Sequence, residues 1–436
     1  MEPDNGVGGA IGRRREHLCG YGVLAKILIM RKATWTLLLL FVFAIPWEYS
    51  LNLGIPLGNI ARFIGLVVLV VAVPAVFQAG RVRAPNTVLW MVAALYLWFC
   101  LTCFWTIDSV ATLDRLPGYA QEMMIVWLLW EFAENTIDLR SLMRAGLAGS
   151  WVLALLTLAS FAATASRGGQ VRFAAVGQDP NDVARYLDLA FPIAALLFDQ
   201  ERKWAGKLLA IGYLPLGLVA VLVTASRGGF VAAFLALVGC GAILLHKRAR
   251  RLLSVLFVAP ASALVLWFVI PRATLERIAT VAEQAQGGDL NQRVNIWEFG
   301  WRAFAEAPFL GHGAGTFVNA AGLAPIDTAH NTALSILVEG GMVGFGIAAA
   351  ILMLMVFNAL RTQGPMRMAL LTALAVWMLS SLVGTTTESR TTWLLFGMIA
   401  LAGRLAGEEL HTAGASPGMS RQRLWNWPEN PIGKSR

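Results

Sequence analysis

RFIGLVVLVVAVPAVFQ, residues 62–78, carries one charge, at its first position. As a helix it is about as long as the ~30 Å hydrocarbon layer of a bilayer is thick. Leu89–Phe104 and Ile211–Thr224 read the same way. Over all 436 residues, 57% are hydrophobic and 14% charged, and the mean hydropathy is +0.63. A soluble domain of this size is much less apolar. The expected fold class is therefore all-α: a polytopic membrane protein with about twelve transmembrane helices.

Apolar runs bounded by charge, Gly or Pro place the spans near 34–46, 59–78, 86–105, 117–133, 143–164, 183–198, 205–224, 229–246, 252–270, 330–360, 366–385 and 391–406. The run at 330–360 is long enough to be tilted, broken or partly outside the bilayer. An arginine-containing segment precedes the first run and no small-residue cleavage pattern follows it, so that span is expected to remain as an anchor. Cys100 and Cys103 read as small packing residues on an apolar helix, with no metal-ligand cluster around them. No cofactor and no metal are expected.

The net charge of +9 does not point to nucleic acid, because the basic residues lie scattered between spans. Their order reads as topology. With the N-terminus inside, inner loops hold Arg81 and Arg83, Arg140 and Arg144, Arg202, Lys203 and Lys207, Lys247 to Arg251, then Arg361 and Arg367. The short outer loops hold Arg115, Arg167, Arg172, Arg227 and Arg390. The expected layout is a cytoplasmic tail at 1–33, nine spans within 34–270, a large outer loop at 271–329, three spans within 330–406, and a cytoplasmic tail at 407–436.

Six residues, TASRGG, occur at 164–169 and again at 224–229, each closing a span. Two crossings separate them, so both copies face outward. Glycines let backbone N–H groups approach a ligand closely, so Ser-Arg-Gly-Gly can form an anion site of hydroxyl, guanidinium and amides. An arginine snorkelling to lipid phosphate is the bland alternative for Arg167 and Arg227. Between the copies, Asp179-Pro180-Asn181-Asp182 signals a turn and N-cap, and Arg185 and Asp188 then fall within an apolar helix, three residues apart, where ionisable groups are a functional hypothesis by default.

In the long outer loop Arg293, Trp297, Trp301 and Phe304 follow helical spacing, and an interfacial or packing role for the aromatics outweighs a binding platform. His330 and Asn331 open the next span, with Glu339 along it. A helix N-terminus lowers a histidine's pKa and favours the neutral imidazole that a general base requires. Of the outward histidines, His312 in its glycine-rich loop is expected to be a solvent-exposed or turn residue, which leaves His330 as the candidate base. Arginines without an acidic metal cluster suit a diphosphate whose charge the protein itself neutralises.

Four stretches in this order, "GQDPNDVARYLDLAFP", "TASRGG", "QRVNIWEFGWRAFAEAPFLGHGAGTF" and "HNTALSILVEGGMVGFG", resemble the O-antigen ligase and O-antigen polymerase superfamily over roughly Gly177–Gly346. The resemblance implies a bacterial inner-membrane glycosyltransferase whose large periplasmic loop covers a cavity open to the outer leaflet. Its donor is a glycan on undecaprenyl diphosphate. Its acceptor is a hydroxyl, on lipid A–core in a ligase of lipopolysaccharide biosynthesis or on another glycan in a polymerase. Carried over, Arg185 and Arg227 match arginines that hold the diphosphate and Arg293 adds to them. His330 matches the base, with Asn331 and Glu339 supporting it. Arg167 has no matched role and is an additional donor contact at most. The alternatives are an O-antigen or exopolysaccharide polymerase of the same superfamily and, in another class, a multi-pass transporter or flippase, which would place its ionisable groups near the midplane and show related halves.

Overall fold

The computed structural model describes residues 28–54, 58–164, 172–246, 293–325, 327–414 and 424–426. The expected span at 252–270 and the first TASRGG copy beyond Thr164 lie outside the described residues.

Apolar runs become helices because a bilayer interior offers backbone N–H and C=O groups no partner but each other. In chain order they are α1 (Leu28–Ser50, tightening to a 3₁₀ turn at Ile45–Ser50), α2 (Ile60–Ala79), α3 (Thr87–Leu101), α4 (Ser109–Phe132) and α5 (Thr136–Thr164). There follow α6 (Pro180–Gln200), α7 (Trp204–Val223), α8 (Arg227–Leu245), α9 (Arg293–Glu306), the single turn α10 (Phe317–Ala320), α11 (Thr332–Arg361), α12 (Gly364–Leu382) and α13 (Arg390–Gly414). Beside the helices, the three-residue strands Arg81–Arg83 and Leu424–Asn426 pair antiparallel, Val82 opposite Trp425.

Among the described residues, eight helices are long and apolar enough to cross a membrane: α1, α2, α3 with its 3₁₀ extension to Phe104, α5, α7, α8, α11 and α12. The protein is an all-α polytopic membrane protein. Outward-facing Val70, Phe77, Trp90, Leu97, Phe234 and Met353 are exposed, as side chains that meet lipid rather than water are. Helices α4, α6 and α13 are of similar length but carry charges. α6 can do so because it is central: every residue from Val183 to Leu197 is buried, packed by α5, α7, α8 and α12.

Hydrogen bonds divide the connections between two ends of the bundle. At one end Arg31 at the start of α1 meets Glu131 near the end of α4 at 3.5 Å. The N–H of Arg83 donates to the same carboxylate at 2.8 Å, and Arg404 of α13 reaches the Ala133 carbonyl at 2.5 Å. At the other end the α3–α4 connection meets the segment before α11 (Ile107 N–H to His312 O, 3.0 Å). The α5–α6 connection meets α7 (Phe173 N–H to Val223 O, 3.1 Å), and Arg390 reaches Glu48 at the end of α1 at 2.5 Å. That second end holds the cavity described below.

α11 is two helices joined at Gly341, where φ is 63° and ψ −167°. The break strands carbonyls that an unbroken helix would satisfy, and the loop Gly311–Gly315 answers them. His312 N–H donates to Val338 O (2.8 Å) and Gly313 N–H to Glu339 O (2.9 Å), while Met342 N–H returns to Pro308 O (2.8 Å). Gly311, Gly313 and Gly315 all have positive φ, and a Cβ on Gly311 would lie 2.5 Å from the Glu339 backbone. The expected turn at His312 is present, but its exposure is not. The residue is only 9% exposed with Nε2 2.8 Å from Ala303 O, because the loop is drawn onto α11 by the carbonyls it must satisfy.

Candidate functional site

Among the helices that begin at the cavity end, α6, α8 and α11 are each capped by the short polar residue their sequence supplies. Asp179 accepts from Asn181 N–H (2.8 Å) for α6, Ser226 from Gly229 N–H (3.2 Å) for α8, and Asn331 from Leu334 N–H (3.0 Å) for α11. The N-termini of α6 and α8 are tied to one another. Asn181 Oδ1 accepts from both Ser226 Oγ and Arg172 Nη2, each at 2.9 Å. Helix starts present positive partial charge and favour anions.

The cavity there encloses about 760 Å³, within the range of small-ligand pockets, ~300–1,000 Å³. Arg185, Arg227, Arg293, His330 and Glu339 all line it. Among the described residues, the non-glycine positions with positive φ are Ala225 (49°) and His330 (46°), and both line the same cavity. A left-handed backbone at a residue with a Cβ costs ~1–3 kcal/mol and persists where the surroundings over-determine it, as they do at functional sites.

The charges fall into two groups. Around Arg293 lie Arg172, Arg227 and Asp179, and around His330 lie Arg293, Asp179, Asp327 and Arg185. Burial lowers the pKa of His330 below the usual histidine value of 6.5; Arg293 pushes it the same way, and the pulls of Asp179 and Asp327 oppose them. The imidazole is thereby held neutral near pH 7, with Nδ1 3.2 Å from Thr328 Oγ1. Burial likewise lowers the pKa of Arg293, reinforced by Arg172 and Arg227 and opposed by Asp179. The second group comprises Arg115, Glu388 and Glu339. Arg115 of α4 is ion-paired with Glu388 in the α12–α13 loop, and Glu339 interacts with both of them. Burial raises the pKa of Glu388 and Arg115 counters it.

Each residue singled out in the sequence, Arg167 excepted, has a definite position. Arg185 is buried and ion-pairs with Asp182, with its guanidinium carbon 5.7 Å from the centre of the Tyr186 ring. The sequence spacing suggested Asp188 as its partner; instead Asp188 is fully buried and neither carboxylate oxygen has a hydrogen-bond partner. Glu339 is occupied by the protein, Oε2 accepting from Gly315 N–H at 2.8 Å and Oε1 from Ser335 Oγ at 3.3 Å. Asn331 acts as the α11 cap with its amide 3.4 Å from Leu382 O, and is not among the residues lining the cavity. Trp297 lines the cavity and bonds Ala329 O at 3.1 Å, whereas Trp301 points outward. Arg167 lies outside the described residues. Among the described residues no three His, Cys, Asp or Glu side chains gather as a metal ion would require.

Residues 212–349, from α7 into α11, match the family model described as O-antigen ligase. This stretch, less than half of the chain, is similar to the O-antigen ligase and polymerase superfamily. It contains Arg227, Arg293, His330 and Glu339 of the cavity lining, while Arg115, Arg185 and Glu388 lie outside it. No curated protein matches the chain in sequence. The family supports a membrane enzyme of O-antigen ligase or polymerase type, acting on lipid-linked glycans.

Neither Arg115 nor Glu388 was among the candidate site residues read from the sequence. Their signal is present: Glu388 sits in a polar stretch, GTTTESR at 384–390, between two apolar runs, and Arg115 is one of the few arginines expected outside.

Proposed function

We propose that the cavity transfers a glycan from undecaprenyl diphosphate to an acceptor hydroxyl, in the manner of an O-antigen ligase with lipid A–core as acceptor. The observation that carries this reading is the gathering of Arg185, Arg227 and Arg293 with a neutral-poised His330 around one cavity at the start of three helices. Guanidinium groups and helix N-termini suit a diphosphate, and they stabilise the charge that grows on it as it leaves.

In this mechanism His330 takes the proton of the acceptor hydroxyl. The oxygen attacks the anomeric carbon from the face opposite the diphosphate, the glycosidic C–O bond forms, and the C–O bond to phosphate breaks with its electron pair leaving on the diphosphate. The configuration inverts. The cavity end is assigned to the periplasm of the bacterial inner membrane, with both termini cytoplasmic; residues 293–325 of the outer loop form its cover, and Arg167 counts as an additional donor contact at most.

Reconstitution with undecaprenyl diphosphate-linked glycan and lipid A–core tests the reading. His330→Ala lowers transfer by about 10²- to 10⁴-fold, and Arg227→Ala weakens donor affinity by about 10- to 100-fold, the worth of a charge-assisted phosphate contact. Near wild-type transfer by the first, or unchanged donor affinity in the second, defeats the assignment. Deleting the gene distinguishes the acceptors: a lost ligase leaves cores without long chains, a lost polymerase leaves single-unit caps, and a lost exopolysaccharide polymerase leaves lipopolysaccharide unchanged.

A further inference from the structure

An inverting transfer needs its two substrates on opposite sides of the anomeric carbon. The donor's diphosphate has a place among Arg185, Arg227, Arg293 and the helix starts. The cavity also has a wall built from other elements, centred on the ion pair of Arg115 and Glu388. None of the charges gathered around Arg293 and His330 belongs to that wall.

The pair is held in place from several directions. The Arg115 stem packs against the glycine loop, where a Cβ on Gly315 would lie 3.1 Å from the Cβ of Arg115. Glu388 rides on a loop anchored to the start of α11. Thr332 Oγ1 donates to Gly384 O at 2.8 Å and accepts from Thr386 N–H at 2.9 Å. On its other side, Trp393 Nε1 donates to Thr387 O at 2.9 Å and Ser389 Oγ donates to Tyr186 at 3.3 Å. Because α11 begins one residue beyond Asn331, the same bonds fix Glu388 relative to His330.

Both side chains of the pair remain about one-third exposed, 36% for Arg115 and 34% for Glu388, unlike Glu339, whose oxygens are taken by the protein. The pair thus offers carboxylate acceptors beside guanidinium donors with little net charge. Two adjacent hydroxyls, each donor and acceptor, complement that arrangement. A phosphate does not, since the carboxylate repels it. Thr385 lines the cavity in the same loop, and its hydroxyl has no hydrogen-bond partner. Phe317 and Trp297 line the same cavity and can cover the C–H faces of a sugar.

We infer that Glu388, braced by Arg115, is the residue that selects the acceptor, accepting hydrogen bonds from vicinal hydroxyls of a neutral sugar. This rests on the reading of the cavity as a glycan-transfer site.

The test uses the full chain in detergent micelles and two separate probes: methyl glycosides of neutral hexoses and heptoses, followed by saturation-transfer NMR, and farnesyl diphosphate for the donor side. The expected result is saturable glycoside binding that survives saturating farnesyl diphosphate, is weakened about tenfold in Glu388→Gln, and is partly recovered in Glu388→Asp. Retained farnesyl diphosphate affinity shows that the variants are folded. Glycoside binding absent from the unaltered protein, unchanged in Glu388→Gln, or displaced by farnesyl diphosphate overturns the inference. The donor reading fails by a different result, farnesyl diphosphate affinity unchanged in Arg227→Ala, so the two can fall independently.

Discussion

Replacing Gly341 by alanine tests whether the break in α11 organises the site. The backbone there, φ 63° and ψ −167°, belongs to a region open essentially to glycine, at a cost of ~1–3 kcal/mol for other residues. The added Cβ would lie 2.2 Å from Phe309 O, 2.4 Å from Phe309 C and 2.7 Å from Gly311 N. All three are backbone atoms, so no rotamer change relieves the clash. The 308–313 segment must withdraw by about 1 Å to restore van der Waals contact, which strains the bonds joining Met342 to Pro308, His312 to Val338 and Gly313 to Glu339. At ~1 kcal/mol for each of the three weakened bonds, added to the conformational cost of ~1–3 kcal/mol, the loss is about 4–6 kcal/mol. Glu339 lies beside the break and His330 at the start of the same half-helix, so transfer activity falls with stability. Gly346→Ala is the matched control, since that glycine is on the same helix and a Cβ there meets nothing within 4 Å. Thermal melts in detergent and transfer in proteoliposomes read both effects. If Gly341→Ala melts with Gly346→Ala and retains its activity, the break is incidental and this reasoning is wrong.

Two further outcomes follow from the charges and from the space around them. Transfer declines on acidification as His330 takes up a proton, with the midpoint below 6.5 because burial and Arg293 both lower its pKa; Arg293→Gln removes a like charge and moves that limb to higher pH, and an unmoved limb would exclude His330 as its origin. The stability sign agrees: the unfolded chain protonates this histidine more readily than the folded one, so its contribution drops as pH falls from 6.5 toward the folded pKa. At Gly384 a Cβ would sit 2.7 Å from Arg185 Nη1, the mobile end of a side chain, so Gly384→Ala displaces the arginine rather than the backbone. Stability then changes by less than about 1 kcal/mol, while donor affinity, measured with farnesyl diphosphate, falls severalfold; equal affinity would remove Arg185 from the phosphate site.

The features legible in the sequence are those set locally. Among the described residues, apolar runs became helices at their expected places because bilayer burial leaves the backbone no alternative, and Asp179, Ser226 and Asn331 cap helices because a short polar residue before an apolar run does so whatever it later packs against. The possibility of a broken run at 330–360 was also visible, as length. Its exact position was not, since it depends on the Gly311–Gly315 loop lying against it. The partner of Arg185 shows a different limit. Asp182 and Asp188 stand three residues to either side, so helical spacing allows either. Only the position along α6 separates them: Asp182 is in the first turn, beside the cavity, and Asp188 is a further turn and a half into the fully buried stretch.

Glu388 was illegible for a third reason, distance along the chain: its partner is 273 residues away, and no local pattern announces such a pair. The family-matched stretch 212–349 supplies Arg227, Arg293 and His330, while Arg115 and Glu388 come from before and after it. Arg185 also lies outside that stretch, yet its buried charge in an apolar helix made it conspicuous. Charges that burial makes costly are therefore the ones a sequence reveals, because each looks misplaced among its neighbours. A one-third-exposed ion pair between an early turn of α4 and a polar loop looks ordinary. If a transfer cavity must accept different glycans, a selective contact belongs on a loop, where exchanging one side chain disturbs no helix, and Glu388 has that character.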